Sequence, residues 1–412
     1  MAKRKSKAQK EAEKFIRKNK KAVVTALTVL VIILLVVALV IYVVNPDFYK
    51  NLFNKNDGPN INIPAGTYED VVSADLSIHF LELGNKYTGD CTLIKVGNTE
   101  VLIDAGSRKG SAPHLKNYID QFCTDGVLEY VIATHAHQDH IAAFVGNKNN
   151  GNYNGLLYTY EIGTLIKFSN TRSTSGIYGE FCEAVDYIED KGTTVYDALQ
   201  CYNNQDGAQR TYYLNAEQTV SMNILYNYYY DHPAPDQKDE NDYSVCMLLS
   251  QELGENDNHY LFTGDLEEHG EEKLVEYNTL PKVKLFKGAH HGSYTANTDK
   301  LLNVIKPEHV AICCCCGTEE FGAKEENRFP AQDAIERISK HTDSIYCTTL
   351  ITDWAKGQYT SMNGNIIFYY LEDDEPDDLE NPDQEKSDPF KLWCSNNTTK
   401  LKDSDWYKQN RK

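Results

Sequence analysis

Residues 134–143 read THAHQDHIAA and place three histidines and one aspartate within six positions. The apolar strand pattern EYVIATHA runs into this stretch, so its polar side chains follow the carboxyl end of a strand, where α/β folds place their sites. His135 and His137 have the spacing to reach one ion, and Asp139 and His140 can reach a second. Imidazole and carboxylate are ligands of zinc, and they also suit manganese or iron. The pattern predicts half of a two-metal site.

Two later stretches supply what such a site still lacks. In HYLFTGDLEEHG, residues 259–270, an apolar strand runs into Asp265, and in VKLFKGAHHGS, residues 283–293, another runs into His290 and His291. An aspartate at the tip of one strand can bridge two ions about 3.5–4 Å apart, and a histidine from the next strand can complete the second ion's ligands. Either of the two adjacent histidines fits this role.

Two further side chains of the last motif are candidates for substrate contact. Ser293 and Lys287 lie near enough in sequence to reach a phosphate oxygen. Lys287, however, falls on a predicted strand, and lysines are rarely buried. We therefore expect its ammonium group to be solvated.

The amino-terminal part predicts a membrane anchor. Residues 22–44, AVVTALTVLVIILLVVALVIYVV, carry no charge, and about 20 apolar residues suffice to cross a bilayer. The run is too long for a signal peptide and lacks a small-residue cleavage site. Residues 1–21 hold ten Lys or Arg against two Glu, which keeps that end in the cytoplasm. We expect a single-pass protein of the cell membrane with its remaining residues outside.

The rest of the chain divides into three parts. Residues 45–74 are rich in Asn, Pro and Gly and predict a stalk. Residues 75–370 alternate strand and helix patterns, which predicts one layered α/β domain. Residues 371–412 form an acidic polar segment, for which we expect a disordered tail.

Charge and cysteine content limit the partners and the chemistry. The formal net charge is −19, which disfavours non-specific binding of nucleic acid, although a local basic groove is compatible with it. The eleven cysteines are odd in number and are not spaced like a disulfide framework. Four of them are consecutive at 313–316. Neighbours on a strand point to opposite faces, so these four cannot converge on one ion, and we expect a buried strand.

The motifs IHFLELG, GDCTLIKVGNTEVLIDAG, THAHQDH, NDYSVCMLL, YLFTGDL and LFKGAHHGS together resemble the metallo-β-lactamase superfamily, in its ComEC-like competence-protein branch. The resemblance covers residues 76–370. It implies an αββα sandwich with a site for two divalent metal ions, zinc or alternatively manganese, at one edge. It implies no nucleotide cofactor.

The resemblance also implies roles by position. His135 and His137 match the ligands of one metal, Asp139 and His140 those of the other, Asp265 the bridging aspartate, and one of His290 and His291 the last ligand. Asp104, in LIDAG, matches a buried aspartate that orients the metal loop.

The chain departs from the superfamily's pattern in two places. No histidine lies between His140 and His232, so the third histidine on the first metal is missing, which makes hydrolysis of β-lactams an unfavoured reading. The motif ELGNKYTGD has Glu82 in place of aspartate and an insertion before Asp90. This leaves the role of that loop open.

These observations favour metal-assisted hydrolysis of a phosphodiester. Asp139, Asp265 and the histidine pair His290 and His291 are the catalytic candidates, and the histidine that is not a ligand can protonate the leaving group. The resemblance favours DNA as substrate. Wall teichoic acid or a phosphorylcholine headgroup is the alternative, for which the aromatic stretch YNYYYDHP, residues 226–233, offers either a choline cage or ordinary stacking. A reading of another class is a non-catalytic binding module of a DNA-uptake or surface complex.

Overall fold

Two β-sheets form the centre of the fold in the computed structural model of this protein. The structure describes residues 25, 59, 61–149, 152–233, 240–254, 256–372 and 388–411, and the fold belongs to the unit Asp57–Lys412. The strands are, in chain order, β1 Leu76–Phe80, β2 Thr92–Val96, β3 Thr99–Ile103, β4 Val127–Ala133, β5 Lys148–Asn149, β6 Asn152–Tyr153, β7 Glu161–Lys167, β8 Thr194–Asp197, β9 Thr211–Tyr213, β10 Val220–Ile224, β11 Met247–Gln251, β12 Asn258–Phe262, β13 Leu285–Lys287, β14 His309–Cys316, β15 Ile345–Asp353, β16 Gln358–Ser361, β17 Ile366–Tyr370 and β18 Phe390–Cys394.

Helices occupy the connections between the strands. They are α1 Tyr68–Ser73, α2 Ala112–Ile119, α3 Gln138–Val145, α4 Leu156–Thr159, α5 Gly176–Glu189, α6 Ala198–Asn203, α7 Glu268–Tyr277, α8 Asp299–Ile305, α9 Gln332–Ser339 and α10 Asp405–Asn410. Short 3₁₀ turns complete the connections, of which Ala289–Gly292 belongs to the site described below.

Each large sheet is mixed. The first has the order β18-β17-β1-β2-β3-β4-β7-β8, and the second β16-β15-β14-β13-β12-β11-β10-β9. In the first sheet β3, β4, β7 and β8 run parallel, and in the second β12 to β15 do. The remaining pairs are antiparallel. Parallel central strands are covered on both faces, and their sequences are accordingly almost continuously apolar.

The sheets face each other across the main core, and helices cover their outer faces. Phe80 of β1 stacks on Phe262 of β12 with ring centroids 6.3 Å apart, which joins the two sheets. On the outer face of the second sheet, Leu302 of α8 and Ile335 of α9 join the cluster that contains Phe286 of β13. The predicted αββα layering is thereby confirmed.

The predicted stalk differs from the structure over residues 61–74. Thr67 and Asp70 form a reciprocal capping box that starts α1, and Val71 on this helix is buried. The backbone amide of Gly66 donates to the carbonyl oxygen of Leu392 at 2.9 Å. The capping pattern and one apolar anchor are enough to dock this segment onto the domain.

The predicted disordered tail also differs, because residues 388–411 are part of the fold. Strand β18 pairs with β17 along its whole length, and its alternate residues Phe390, Leu392 and Cys394 are buried. Helix α10 then adds Trp406 to the apolar cluster that contains Phe286 of the second sheet. The acidic run at 371–388 masks this alternating pattern when the segment is judged by composition.

The predicted membrane anchor stays a prediction. Apart from Thr25, residues 22–44 lie outside the part of the chain that the structure describes. Within the described part, no helix is both long and apolar enough to cross a bilayer.

Candidate metal centre

Three strand ends deliver the predicted ligands to one place. The polar loop after β4 carries His135 and His137, and Asp139 and His140 lie in the first turn of α3. Asp265 follows β12 by three residues. A Cβ atom on the preceding Gly264 would lie 2.8 Å from Ser244 Oγ and 2.9 Å from Thr134 Cβ, so only glycine lets these segments meet.

Four of the predicted residues converge in a buried cluster. His140 Nε2 lies 3.0 Å and His291 Nε2 3.1 Å from the same oxygen, Oδ2 of Asp265. Asp139 Oδ2 lies 3.3 Å from His291 Nε2. One atom from each of these four side chains fits within a group whose members are all within 4.8 Å of one another. This spacing suits ligands that surround a single cation.

His135 and His137 form a second group directly beside this cluster. His135 Nε2 lies 3.1 Å from His137 Nδ1, and the rings of His135 and His140 have centroids 4.1 Å apart. His135 is completely buried, whereas His137 is only partly so. The two sets of predicted ligands are therefore adjacent, and His137 and Asp139 are the partly exposed members.

The two adjacent histidines of the HHGS motif separate. His291 is fully buried and belongs to the cluster, whereas His290 Nδ1 lies 3.0 Å from Glu267 Oε1 outside it. Both residues have left-handed backbone, with φ of 46° and 53°. Such conformations are uncommon for residues other than glycine and occur at functional sites. The unusual turn sends the two side chains in different directions, and it places His291, not His290, among the predicted ligands.

Asp104 holds the metal loop from beneath. Its carboxylate accepts hydrogen bonds from the backbone amide of Thr134 at 2.8 Å and from the Thr134 hydroxyl at 2.7 Å. His140 Nδ1 donates to the same carboxylate at 2.8 Å, which leaves Nε2 of His140 to face Asp265. Asp104 thus fixes both the loop and the orientation of one imidazole.

Lys287 is buried, contrary to the prediction that it is solvated. Its side chain is 3% exposed and forms an ion pair with Asp90. Its ammonium group also donates to the carbonyl oxygen of Gly264 at 3.0 Å and lies 3.7 Å from Asp265 Oδ1. Asp90, whose role was open, lies 3.2 Å from His291 Nδ1. The sequence pattern that indicates burial of Lys287 is the apolar strand in which it lies, next to the HHGS motif. A lysine in such a strand is expected to need a buried counter-charge.

The site's electrostatics favour added positive charge. Burial and the neighbouring imidazoles of His140 and His137 lower the pKa of His135. Burial opposes the charged form of His140 and His291 as well, but the Asp265 carboxylate outweighs it, so the pKa of each is raised. The buried carboxylates of the site, Asp265 above all, therefore stabilise positive charge on the neighbouring groups. A divalent ion satisfies the same demand more strongly than protonated imidazoles do.

Two buried polar atoms without hydrogen-bond partners indicate where a metal ion would bind. His291 Nε2 and Asp265 Oδ1 are buried, and neither has a hydrogen-bond partner among the residues that the structure describes. A buried polar atom without a partner costs about 1–3 kcal/mol. The donors present are imidazole nitrogens and carboxylate oxygens, which zinc and manganese accept. The residues present therefore fit divalent cations at this position.

Ser293 and the aromatic stretch 226–233, two other candidates for substrate contact, make contacts within the protein. The Ser293 hydroxyl is buried and lies 2.9 Å from Thr295 Oγ1, so it supports the turn around His290. In the aromatic stretch 226–233, Tyr228 stacks on His232 and on Tyr277, with centroids 4.2 Å and 5.7 Å apart. These rings pack on one another, as the stacking reading expects.

Sequence reasoning missed two groups that support the site. Glu267 pairs with His290, and it also accepts a hydrogen bond from Thr295 Oγ1 at 2.8 Å. Ser244 Oγ accepts from the backbone amide of Asp265 at 3.1 Å. Both lie within quoted motifs, but nothing in their spacing distinguishes them from turn residues.

Comparisons with known proteins agree with this site in one segment of the chain. Residues 84–169 match the family described as Metallo-beta-lactamase superfamily. No curated protein matches the chain in sequence.

Solved structures resemble the chain at low identity. The metallo-beta-lactamase fold protein YhfI from Bacillus subtilis is 10% identical, with a TM-score of 0.35, over 69% of this chain and 99% of that one. A subclass B3 metallo-beta-lactamase isolated from a soil metagenome library is 11% identical, with a TM-score of 0.29, over 57% of this chain and 81% of that one. The segment 84–169 that matches the family contains Asp90, Asp104 and the whole THAHQDH loop.

Proposed function

We propose that this protein is a metal-dependent hydrolase that cleaves phosphodiesters with two divalent ions, zinc or alternatively manganese. One observation carries the proposal: Asp139, His140, Asp265 and His291 converge on one buried position, and the pair His135 and His137 lies beside it. Sites that hold two divalent ions about 3.5–4 Å apart clamp the attacking and leaving oxygens of an in-line displacement.

The side chains divide into two ligand sets. His135 and His137 would hold one ion, Asp139, His140 and His291 the other, and Asp265 both. Bound divalent ions supply Lewis acidity and lower the pKa of water towards about 7. Asp265 is held in place by the amide contact with Ser244 and by its position between His140 and His291. A carboxylate fixed in this way needs no reorganisation during the reaction.

His290 is the proposed general acid. Its imidazole lies at the rim of the site, with 18% of the side chain exposed, and Glu267 supports it from behind at 3.0 Å. A carboxylate in this position fixes the orientation of the ring. His290 can then release its proton to the leaving oxygen, which contributes typically 10²–10⁴-fold in rate.

A cationic and aromatic wall beside the metal centre favours an anionic substrate. The guanidinium group of Arg108 lies 4.0 Å from the centroid of the Tyr87 ring, and the ammonium group of Lys86 lies 4.0 Å from that of Trp354. Glu320 pairs with Arg108. Stacked cations next to a metal site suit the phosphate and the flat or apolar parts of a diester.

Two substrate classes follow from this wall. DNA is the first, since the cations Arg108 and Lys86 of this wall can meet its phosphates, and the sequence resemblance points the same way. A wall polymer or phosphorylcholine headgroup is the second, because aromatic rings near the site can also receive a quaternary ammonium group. Lys86 already occupies the Trp354 face, which favours the nucleic-acid substrate.

We also propose where the enzyme works. Residues 22–44 would anchor it as a single span in the cell membrane, with the basic residues 1–21 in the cytoplasm and the hydrolase domain outside. Limited proteolysis of intact and permeabilised cells tests this topology. Cleavage of the domain in intact cells supports it, and protection until permeabilisation contradicts it.

Turnover of bis-p-nitrophenyl phosphate by the full-length protein tests the hydrolase. We expect zinc- or manganese-dependent activity that His137→Ala and Asp265→Ala abolish, while Lys356→Ala, a change at an exposed turn, leaves it intact. Competition by single-stranded DNA and by p-nitrophenyl phosphorylcholine then separates the two substrate classes. Equal background rates in wild type and both site variants would favour the non-catalytic binding module.

A further inference from the structure

Three thiols meet on the outer face of the second sheet, away from the predicted hydrolytic centre. Along β14, alternation places Cys313 in the core between the sheets and both Cys314 and Cys316 on the face covered by helices. The parallel neighbour β15 adds Cys347 to that face. As expected from strand alternation, the four consecutive cysteines do not all lie on one face. Two of them, Cys314 and Cys316, lie close to a third cysteine from another strand.

The spacing of the sulfur atoms matches that of metal ligands. Cys314 Sγ lies 3.7 Å from Cys316 Sγ, and all three thiols lie within 4.8 Å of one another. The thioether sulfur of Met362 lies 3.7 Å from Cys316 Sγ. Around an ion with metal–sulfur bonds of about 2.3 Å, sulfur atoms lie about 3.8–4.0 Å apart in tetrahedral or trigonal geometry. The two separations of 3.7 Å are close to this spacing, and Cys347 Sγ lies within 4.8 Å of the other two thiols.

None of the three cysteines is held in a disulfide. All eleven cysteines are free thiols. A surface cavity of about 370 Å³ lies next to the cluster, lined by Gly317, Leu350, Trp406 and Arg411 among others. Gly317, which follows Cys316 in the sequence, is the residue of this cavity nearest to the cluster along the chain, and the three thiols themselves are buried.

We infer that Cys314, Cys316, Cys347 and Met362 form a binding site for one soft d¹⁰ metal ion, Cu(I) in preference to Zn(II). Thiolate and thioether donors select Cu(I), whereas the imidazole and carboxylate donors of the hydrolytic centre suit harder ions. A bound ion ties β14 to β15. It also steadies the strand whose Cys313 carbonyl oxygen contacts His291.

Anaerobic titration of the reduced full-length protein with Cu(I), against a chromophoric Cu(I) chelator, tests this site. We expect one tightly bound equivalent, with only sulfur neighbours in its X-ray absorption spectrum. Loss of a residue that only supports a metal ligand typically lowers metal affinity by about 10–100-fold. Cys316→Ser and Cys347→Ser each remove a proposed ligand and should lower Cu(I) affinity by at least this factor. Cys315→Ser, a buried change on the same strand but on the opposite face, and His137→Ala should both keep the site.

Met362→Leu provides a variant that preserves packing volume. It should fold, as judged by near-ultraviolet circular dichroism, and bind Cu(I) more weakly than the wild type. The inference is overturned if folded wild-type protein binds no Cu(I), if nitrogen neighbours appear around the copper, or if Cys316→Ser and Cys315→Ser bind it equally well.

Discussion

The Nδ1 atom of His291 lies 2.9 Å from the carbonyl oxygen of Cys313. A ring nitrogen donates its proton to such an acceptor, so the other nitrogen, Nε2, is the one available to a metal ion. That nitrogen faces Asp139 and Asp265 at 3.3 Å and 3.1 Å. The backbone of β14 therefore selects the tautomer of a proposed ligand in a neighbouring strand's loop.

The two adjacent histidines should behave differently when replaced. His291→Ala should lower the metal content, because it removes a nitrogen from the buried cluster. His290→Ala should keep the metal and lower kcat by about 10²–10⁴-fold, because it removes the proposed acid. Elemental analysis and steady-state kinetics on the same preparations check both. Identical metal loss in the two variants contradicts the assignment.

Asp104→Asn should weaken metal binding without removing a ligand. Asp104 accepts from three donors, which are the Thr134 amide, the Thr134 hydroxyl and His140 Nδ1. The amide nitrogen of asparagine cannot accept a hydrogen bond, so at least one of these donors would lose its acceptor. The loop that carries His135 and His137 would then be held less firmly. We expect metal affinity to fall by about 10–100-fold, measured by chelator competition. Asp353→Asn, at the partly exposed end of β15, is the control and should not change the affinity.

The buried pair of Lys287 and Asp90 should show strong coupling. Lys287→Met leaves the Asp90 carboxylate without its ion-pair partner, and breaking a buried pair costs about 3–5 kcal/mol. Adding Asp90→Asn should restore most of that free energy of unfolding. A double-mutant cycle from denaturant unfolding measures the coupling energy. Additive losses would show that the two side chains do not depend on each other.

Glu271 gives the protein a predictable pH dependence. Burial raises the pKa of this carboxyl group to about 7, and it accepts hydrogen bonds from Asn297 and Thr298. The native state keeps this proton to higher pH than the unfolded chain. Its contribution to stability is therefore complete below about pH 4.5 and is lost as the pH rises through about 7, a change on the order of 3 kcal/mol.

Glu271→Gln removes this titration. The difference in unfolding free energy between wild type and variant should therefore change in favour of the variant from pH 5 to pH 8. Denaturant unfolding at several pH values measures it. A difference that is constant with pH would contradict the raised pKa of Glu271.

The convergence of these residues on one candidate centre was predictable because strand ends and metal chemistry leave short local signals. The spacing in THAHQDH, the aspartate after an apolar strand and the HHGS turn each follow from one segment of sequence. The choice between His290 and His291 does not follow from local sequence. It depends on the backbone angles of both residues and on the position of the carbonyl oxygen of Cys313. Tertiary contacts of that kind have no local pattern.

The remaining differences share the same cause. Lys287 is buried because Asp90, 197 positions earlier in the sequence, supplies its counter-charge. Strand β18 exists because β17 and the segment at Ala65 flank it, whereas its composition is dominated by the acidic run before it. Cys347 reaches Cys314 and Cys316 only through strand pairing. Each required a partner that is distant in sequence.

The metal content of the purified full-length protein tests the central claim most directly. After dialysis against zinc or manganese, elemental analysis should find two equivalents bound to the imidazole and carboxylate centre in a protein whose sulfur site is blocked by Cys316→Ser. Asp265→Ala in that background should lose both, because its carboxylate serves each ion. A content that is unchanged by Asp265→Ala, or no retained metal at all, would contradict the two-metal account.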